Sequence, residues 1–242
     1  MDDGTVIRTT VTSSSLDVQR FIEKVQGSPI RVAGLDAEWR PTRTRRAEQY
    51  PIAVLQLCVD RRCLVYQIIH GTGIPISLCS FLYLSGFTFV GVGIADDAKR
   101  LRAEYSLEVS NAVDLREMAA YSPHRPRPEL RQAGLKDMAL AVMGVRIAKS
   151  REVTSNWDAP LLSMEQVEYA SINAYVSFEI GRLLLTGNQY SIICRVYQTI
   201  VAWFAGRWCD PRPGVDRPRS RVGDDAGSSW IDCRVTTPID GR

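Results

Sequence analysis

Several acidic residues in this 242-residue chain have a spacing that could hold a divalent metal ion. Asp36 and Glu38 alternate with apolar residues in the stretch LDAEW, so a β-strand would turn both carboxylates to one face. Two acids in a partly buried place repel each other unless a cation compensates their charge, and Mg²⁺ and Mn²⁺ prefer oxygen ligands. The alternative is an acidic pair at the edge of a sheet that simply faces water.

A second candidate ligand follows the apolar stretch FTFVGVGI, where the helical pattern ADDAKRL places Asp96 and Asp97 in a first turn. Acids in this position usually do no more than complement the helix dipole, but one of them could reach a metal ion through water. The glycines of GVG lack the third glycine of a dinucleotide fingerprint and the GK[ST] of a phosphate loop. Binding of a nucleotide cofactor is therefore not expected.

The stretch EYASINAY adds a phenol and an amide to the candidates. On a helix, Tyr169 and Asn173 lie one turn apart on the same face. A metal site would favour a carboxylate at the second of these positions, whereas Asn173 supplies a neutral amide. Tyr and Asn on one helix rarely indicate a functional site by themselves. Tyr169 and Asn173 are therefore candidates only in combination with the acidic residues that precede them.

An alternation of strands and helices must position these side chains. The stretch RVAGLDAEW and residues 87–94 read as buried strands, and residues 51–60 and 62–68 read as an antiparallel hairpin joined by a tight turn. Helical patterns include LDVQRFIEKV with Ser15 as its N-cap, GLKDMALAVMGV, and a long helix in which Ser163 and Gln166 form a capping box. The order predicts an α/β fold in which helices flank a mixed central sheet as three layers.

The composition along the chain also predicts two parts, an ordered domain and an extension of different composition. We expect residues 1–185 to form one domain and residues 186–242 to form a divergent C-terminal extension. The extension contains an apolar segment at residues 201–208, followed by a stretch rich in Pro, Gly, Ser, Arg and Asp without hydrophobic period. Such a composition is typical of disorder, so we expect the extension to be partly disordered.

Taken together, the motifs resemble the DEDDy 3′-5′ exonucleases of the ribonuclease H-like superfamily. The order is DxE on a strand, an acid after GVGI, and Tyr with a fourth ligand position four residues later. The stretches GLDAEWRP, PIAVLQLC, FVGVGIADDAKRL, AGLKDMALAVMG and SNWDAPLLSMEQVEYA resemble plant Werner-syndrome-like exonucleases. Among these, the chain is similar to the RISC-interacting clearing 3′-5′ exoribonucleases over residues 5–185.

The resemblance implies a role for each candidate. Asp36 and Glu38 would be ligands of a two-metal site for Mg²⁺ or Mn²⁺, and Asp97 would act on the second metal, generally through water. Tyr169 would orient the attacking water. Position 173 would hold the fourth carboxylate, a ligand of the metal that activates this water, and here it is Asn173.

The amide at position 173 predicts a weakened metal site and a nuclease whose activity is reduced or lost. An Asn at this place is either natural divergence or an engineered change from Asp, and the altered neighbours Ala170 and Ser171 favour divergence. Two classes of function follow. One is a 3′-5′ exonuclease, and the alternative is a catalytically inactive protein that binds nucleic acid or acts as a dominant-negative subunit in an assembly.

Composition and charge limit the partners. The formal net charge is +3, and positive charge is concentrated at residues 40–46 and 124–131, which either contact phosphates or are solvated loop arginines. The resemblance implies single-stranded RNA or DNA 3′ ends as partners, with RNA favoured, a small-RNA effector complex, and a homo-oligomer such as a hexameric ring. No apolar run is long enough for a bilayer and no leader pattern is present, so we expect no membrane partner and a cytoplasmic or nuclear location. The six scattered cysteines predict buried, reduced thiols.

Overall fold

A mixed sheet forms the centre of the structure, a computed structural model that describes residues 5–42, 49–84, 86–147, 156–187 and 229–235. The sheet has seven strands in the order β6-β5-β2-β3-β4-β1-β7. Their bounds are β1 Thr5–Thr12, β2 Val32–Trp39, β3 Ile52–Val59, β4 Arg62–Tyr66, β5 Thr88–Gly91, β6 Ala112–Asp114 and β7 Ser229–Val235.

The pairing of the strands brings three carboxyl ends to one edge of the sheet. Strands β2, β3 and β4 pair antiparallel, which confirms the predicted hairpin, while β2, β5 and β6 run parallel to one another. The carboxyl ends of β2, β5 and β6 therefore lie side by side. Asp36 and Glu38 come from the last four residues of β2, and the turn after β5 leads to Asp97.

Helices cover both faces of this sheet. Their bounds are α1 Ser15–Val25, α2 Ile76–Leu84, α3 Ile94–Tyr105, α4 Leu115–Ala120, α5 Leu135–Met138 and α6 Met164–Thr186. One buried cluster joins α1, α2 and α3 to side chains such as Leu35, and a second joins α4, α5 and α6 to side chains such as Val32. Alternate residues of the strands feed the two clusters, which produces the predicted three layers.

Three boundaries differ from those predicted. Helix α1 begins at Ser15, so that Ser14 takes the N-cap position, and its side chain makes no capping hydrogen bond. Strand β5 stops at Gly91, because Gly93 adopts φ +77° and turns the chain into α3. The stretch GLKDMALAVMGV forms only the short α5 and a π-helical turn at Ala139–Met143.

The capping box predicted for the long helix is confirmed. The Ser163 hydroxyl accepts a hydrogen bond from the Gln166 amide at 3.2 Å, and the Gln166 side chain accepts one from the Ser163 amide at 2.9 Å. This reciprocal pair fixes where α6 begins. The position of Tyr169 and Asn173 along the helix is fixed with it.

The cysteine prediction is wrong for one pair. Cys58 on β3 and Cys63 on β4 are directly opposite each other in the hairpin register, and their sulfurs form a disulfide. A spacing of five residues across a tight turn escapes a search for CxxC motifs, although it places the two residues side by side on adjacent strands.

The structure describes two parts of the predicted C-terminal extension, residues 186–187 at the end of α6 and residues 229–235. Residues 229–235 form β7, whose backbone pairs antiparallel with β1. The remaining residues after 187, including the apolar segment at 201–208 and most of the stretch predicted to be disordered, lie outside the described residues. In the described part of the chain, no helix is both long and apolar enough to cross a membrane.

Candidate active site

Helix α6 lies directly on β2, and a glycine makes this contact possible. A side chain at Gly34 would place its Cβ 2.0 Å from the carbonyl oxygen of Ala174 and 2.7 Å from the backbone nitrogen of Phe178. The absence of that atom lets the backbone of α6 approach the strand. Since residues alternate along a strand, Asp36 and Glu38 turn to the same face as Gly34, toward α6.

The two predicted residues of α6 meet the carboxylates of β2. The Asn173 side chain donates a hydrogen bond from Nδ2 to Oδ2 of Asp36 at 3.2 Å. Tyr169, one turn earlier, shares a hydrogen bond with Asn173. Burial raises the pKa of the Tyr169 phenol, and the charges of Glu38 and Asp36 raise it further. The structure therefore brings the amide, the phenol and both carboxylates together.

Asp97 joins this group from the other side. It lies in the first turn of α3 and its side chain is buried, whereas its neighbour Asp96 is exposed. The turn that delivers it is held by Asp114 at the end of β6, whose Oδ2 accepts a hydrogen bond from the amide of Gly93 at 2.9 Å. Of the two adjacent acids, only Asp97 is placed to act with Asp36 and Glu38.

Burial disfavours the ionised form of all three carboxyl groups, and the charges of their neighbours add to this effect at Glu38 and Asp97. Burial raises the pKa of Asp97 to about 8, with a further contribution from the charge of Asp36 and a partial offset from Arg100. Burial also raises the pKa of Glu38, and the charges of Asp36 and Asp97 raise it further. The pKa of Asp36 is raised by burial as well, although the hydrogen bond from Asn173 opposes this increase. A buried group of this kind attracts a compensating positive charge.

The chemistry of this group fits a divalent cation, with one ligand that is neutral. Asp36, Glu38 and Asp97 offer carboxylate oxygens, which Mg²⁺ and Mn²⁺ prefer, and Asn173 could add its amide oxygen. Among the described residues, no three acidic, histidine or cysteine side chains are already arranged to hold a metal ion by themselves. The donor set is therefore of the kind that a divalent cation prefers, and position 173 adds no negative charge to it.

Two buried neighbours of the site were missed by reasoning from the sequence. Trp157 is 1% exposed and packs on Tyr169, with 6.1 Å between the ring centroids. Gln56 is directly opposite Asp36 in the β2–β3 register and is fully buried, and neither atom of its amide has a hydrogen-bond partner among the described residues. A single polar residue within the apolar stretch PIAVLQLC was the available signal for Gln56.

A cation beside the carboxylates was also missed. The guanidinium of Arg100, one turn after Asp97, lies 4.1 Å from the ring centroid of Trp39 and donates to the carbonyl oxygen of Tyr50 at 2.6 Å. It also forms an ion pair with Glu104 at 2.7 Å. Its spacing of three residues from Asp97 on a helix could have revealed that it lies on a neighbouring part of the surface.

The two basic stretches are only partly described. Arg40 forms an ion pair with Asp158 at 3.0 Å, and residues 43–46 lie outside the described residues. In the stretch at residues 124–131, Arg131 donates to the hydroxyl of the exposed Tyr121 at 2.7 Å and stacks over its ring. Contact of either stretch with phosphates remains a prediction.

Comparison with known proteins finds a family match over most of the chain. A family model described as 3′-5′ exonuclease matches residues 9–186. The chain is 30% identical over 159 residues to a "3′-5′ exonuclease" of Arabidopsis thaliana, which covers 65% of this chain and 54% of that protein. It is 27% identical over 158 residues to the "Bifunctional 3′-5′ exonuclease/ATP-dependent helicase WRN" of Mus musculus, covering 63% and 11%.

The chain spans about half the length, or less, of these curated relatives. It superposes on Escherichia coli RNase D, described as an exoribonuclease involved in structured RNA processing, with a TM-score of 0.60 and 20% identity over 72% of this chain and 44% of that one. This likeness shows a common fold, and the predicted ribonuclease H-like α/β architecture is confirmed.

Proposed function

This chain belongs to the 3′-5′ exonuclease family, and from that membership we propose a DEDDy-type, Mg²⁺- or Mn²⁺-dependent exonuclease site whose activity is reduced or lost through Asn173. Its substrates would be the 3′ ends of single-stranded nucleic acid, with RNA favoured over DNA. One observation carries the proposal: an amide N–H, and not a fourth carboxylate, faces Asp36 at 3.2 Å.

The arrangement of the side chains supports a role for each. Asp36, Glu38 and Asp97 would hold the metal ions, with the amide oxygen of Asn173 at the fourth position. Two bound cations would supply activation of the attacking water and stabilisation of the leaving 3′ oxygen. Tyr169, hydrogen-bonded to Asn173 and close to the charges of both β2 carboxylates, would orient the water.

The amide weakens such a site for two electrostatic reasons. Two divalent cations carry four positive charges, and three carboxylates leave one of them without a protein partner. In addition, the Asn173 N–H already donates a hydrogen bond to Oδ2 of Asp36. A cation that binds this oxygen must first break the hydrogen bond. Loss of one electrostatic element of an active site commonly reduces the rate about a hundredfold to a thousandfold.

The proposal is tested by a cleavage assay with three proteins. An end-labelled single-stranded oligonucleotide is incubated with Mn²⁺ and the wild-type chain, Asn173→Asp, or Asn173→Asp combined with Asp36→Ala. We expect slow or no shortening by the wild type, shortening about a hundredfold faster by Asn173→Asp, and none by the double variant. Failure of Asn173→Asp to cut RNA or DNA would refute the nuclease site, and a wild type as fast as Asn173→Asp would refute the role given to the amide.

A second candidate function is binding of nucleic acid without cleavage. The same hydrogen bond favours this function. The Asn173 side chain opposes the increase that burial causes in the pKa of Asp36. The three acids can therefore pack together with a neutral group at the fourth position. This function predicts salt-dependent affinity for oligonucleotides in the presence of EDTA, with no shortening when Mn²⁺ is added. Parallel titrations with RNA and DNA of one sequence measure the preference, and an absence of binding at low salt would rule this function out.

Assembly is the last part of the proposal. The resemblance to small plant exonucleases supports a homo-oligomer such as a hexameric ring, in which an inactive subunit would poison active relatives, and association with a small-RNA effector complex. Co-purification with an active relative and the mass measured by light scattering test both points. A strictly monomeric protein that retains no relative would contradict them.

A further inference from the structure

The buried amide of Gln56 lies beside the three carboxylates. Gln56 is in the middle of β3 and is 0% exposed, and neither its Nε2 nor its Oε1 has a hydrogen-bond partner among the described residues. Most buried polar groups in folded proteins are paired, because an amide that loses water without gaining a partner destabilises the folded state. An unpaired buried amide at this place indicates a partner that it gains in another state of the site.

The alternation of side chains along β3 turns Gln56 toward α6. Val54 packs in the cluster that contains Ala170 of α6, and Cys58 packs in the cluster that contains Ala174. Because Gln56 lies midway between Val54 and Cys58 on the strand, its side chain points to the same face. The amide is therefore enclosed between the sheet and the middle of α6.

Asp36 is the polar side chain that the sheet places beside this amide. Gln56 is directly opposite Asp36 on β2, and on its other side it is opposite the apolar Val65 of β4. Directly opposed residues on antiparallel strands point to the same face, with Cβ atoms about 4.5–5.5 Å apart. A rotation of the Gln56 side chain can therefore bring its N–H to the Asp36 carboxylate.

The Asp36 carboxylate also has room for another donor. A carboxylate has about four acceptor positions, and hydrogen bonds from Nδ2 of Asn173 and from the amide of Ala37 use two of them. The nearby hydroxyl of Ser171 is already engaged, because it accepts from β1 at 2.9 Å and donates within α6 at 2.7 Å. Asp36 is therefore the acceptor that fits the unpaired amide.

We propose that Gln56 is a positioning residue for Asp36. Once Asp36 exchanges the Asn173 N–H for a cation, the Gln56 N–H donates to the Asp36 carboxylate and keeps it turned toward the ion. Carboxylates that bind metal ions are themselves held by hydrogen bonds, and loss of such a partner commonly lowers metal affinity about tenfold to a hundredfold. The inference rests on the proposed metal site and adds a residue to which that proposal gives no role.

The first measurement is the stability of the metal-free protein. Gln56→Met and Gln56→Leu remove the amide and keep a side chain of similar size, so the better tolerated of the two should have a urea midpoint in EDTA at or above that of the wild type. Gln67→Met is the matched control. Gln67 is also buried, but its Nε2 donates to the carbonyl oxygen of Ala159 at 3.0 Å, so its replacement should lower the midpoint.

The second measurement is Mn²⁺ affinity by isothermal titration, which a merely structural residue would not change. We expect the better tolerated Gln56 variant to bind Mn²⁺ about tenfold more weakly than the wild type, and Gln67→Met to differ less than twofold. The same comparison in the Asn173→Asp protein should give the same loss, because Asp36 is unchanged there. A loss confined to Asn173→Asp would assign the amide to position 173 and overturn its role at Asp36.

The remaining outcomes separate this inference from the metal site on which it rests. Unchanged Mn²⁺ affinity in the Gln56 variants, with clear binding by their parent proteins, would overturn the inference and leave the metal site standing. An absence of Mn²⁺ binding by both the wild type and Asn173→Asp would overturn the two together. A urea midpoint in EDTA lowered by both Gln56 variants as much as by Gln67→Met would show that the amide already has a partner, and would also overturn the inference.

Discussion

Asn173 and Asp36 are joined by a hydrogen bond of 3.2 Å that ties the middle of α6 to the C-terminal half of β2. The donor is the amide nitrogen, so this contact places a partial positive charge against the first carboxylate of the site. It opposes the increase that burial causes in the pKa of Asp36. The same atoms therefore stabilise the fold and occupy a position where a metal ligand is expected in the DEDDy pattern.

The first prediction concerns metal binding by Asn173→Asp. A fourth carboxylate beside Asp36 adds like-charge repulsion to the metal-free protein and supplies a charged oxygen to a cation. We expect a lower melting temperature than the wild type in EDTA, and an affinity for Mn²⁺ at least tenfold higher by calorimetry. Asn111→Asp, which adds the same charge just before β6, is the control and should leave Mn²⁺ affinity unchanged. Equal Mn²⁺ affinity in all three proteins would contradict the proposed fourth position.

The second prediction concerns the stability of the metal-free protein as pH changes. The ordinary pKa of an aspartate side chain is 3.8, whereas the pKa of Asp97 is about 8 in the folded protein. The folded state therefore binds the proton of this carboxyl group more tightly than the unfolded state does. The contribution of Asp97 to the free energy of unfolding is therefore fully present below about pH 4 and is lost as pH rises toward 8, by up to about 1.4 kcal/mol per pH unit. The raised pKa of Glu38 acts in the same direction.

Urea denaturation in EDTA at pH 5 and pH 8 measures this effect. Asp97→Asn removes one of the titrating groups, so its stability should fall less over the same interval. If the wild type gained stability between pH 5 and pH 8, the carboxyl groups could not be packed as the structure places them. Added Mn²⁺ should reduce the loss at pH 8 in the wild type, because a cation compensates the ionised acids.

The sequence predicted those parts of the site that depend on local pattern. The alternation around Asp36 and Glu38 predicted that their side chains share one face of the strand, and the helical spacing of Tyr169 and Asn173 predicted that these two share one face of the helix. Both conclusions need only the period of the element that carries the residues. The hairpin of β3 and β4 was predicted for the same reason, since its turn and its two apolar runs are contiguous in the chain.

Contacts between distant parts of the chain were not predictable in this way. Trp157 packs on Tyr169 and Gln56 lies beside Asp36 because of strand order and helix placement, which no local period encodes. Gly34 was read only as one residue of a strand, although its missing side chain sets the distance between β2 and α6. The start of α1 was misplaced by one residue because two adjacent serines, Ser14 and Ser15, are equally good caps by type.

The third prediction tests the start of α6. Ser163 closes a capping box with Gln166, and replacing it with alanine leaves a helix amide without its partner. We expect Ser163→Ala to lower the free energy of unfolding by about 1 kcal/mol. Ser14→Ala is the matched control, because the Ser14 side chain makes no capping hydrogen bond at the start of α1. Equal losses in the two variants would show that the capping box contributes nothing specific.

The fourth prediction concerns the contact that places α6 on β2. In Gly34→Ala, the added methyl group would meet backbone atoms of Ala174 and Phe178, which cannot rotate away as a flexible side chain could. Helix α6 must therefore move off the strand, at a cost of about 1–3 kcal/mol in the free energy of unfolding. Since Asn173 precedes Ala174, its hydrogen bond to Asp36 should lengthen with this shift.

Gly27→Ala provides the control for this variant, since a Cβ at Gly27 would have no atom within 4 Å. We expect its stability to stay within about 0.5 kcal/mol of the wild type, as for ordinary surface substitutions. Each change is then combined with Asn173→Asp, and oligonucleotide cleavage with Mn²⁺ is measured at a temperature where all proteins are folded. Gly34→Ala should lower cleavage at least tenfold and Gly27→Ala should not, because only the first moves residue 173 relative to Asp36. Full cleavage by a destabilised Gly34→Ala protein would mean that the approach of α6 to β2 supports the fold without setting the geometry of the site.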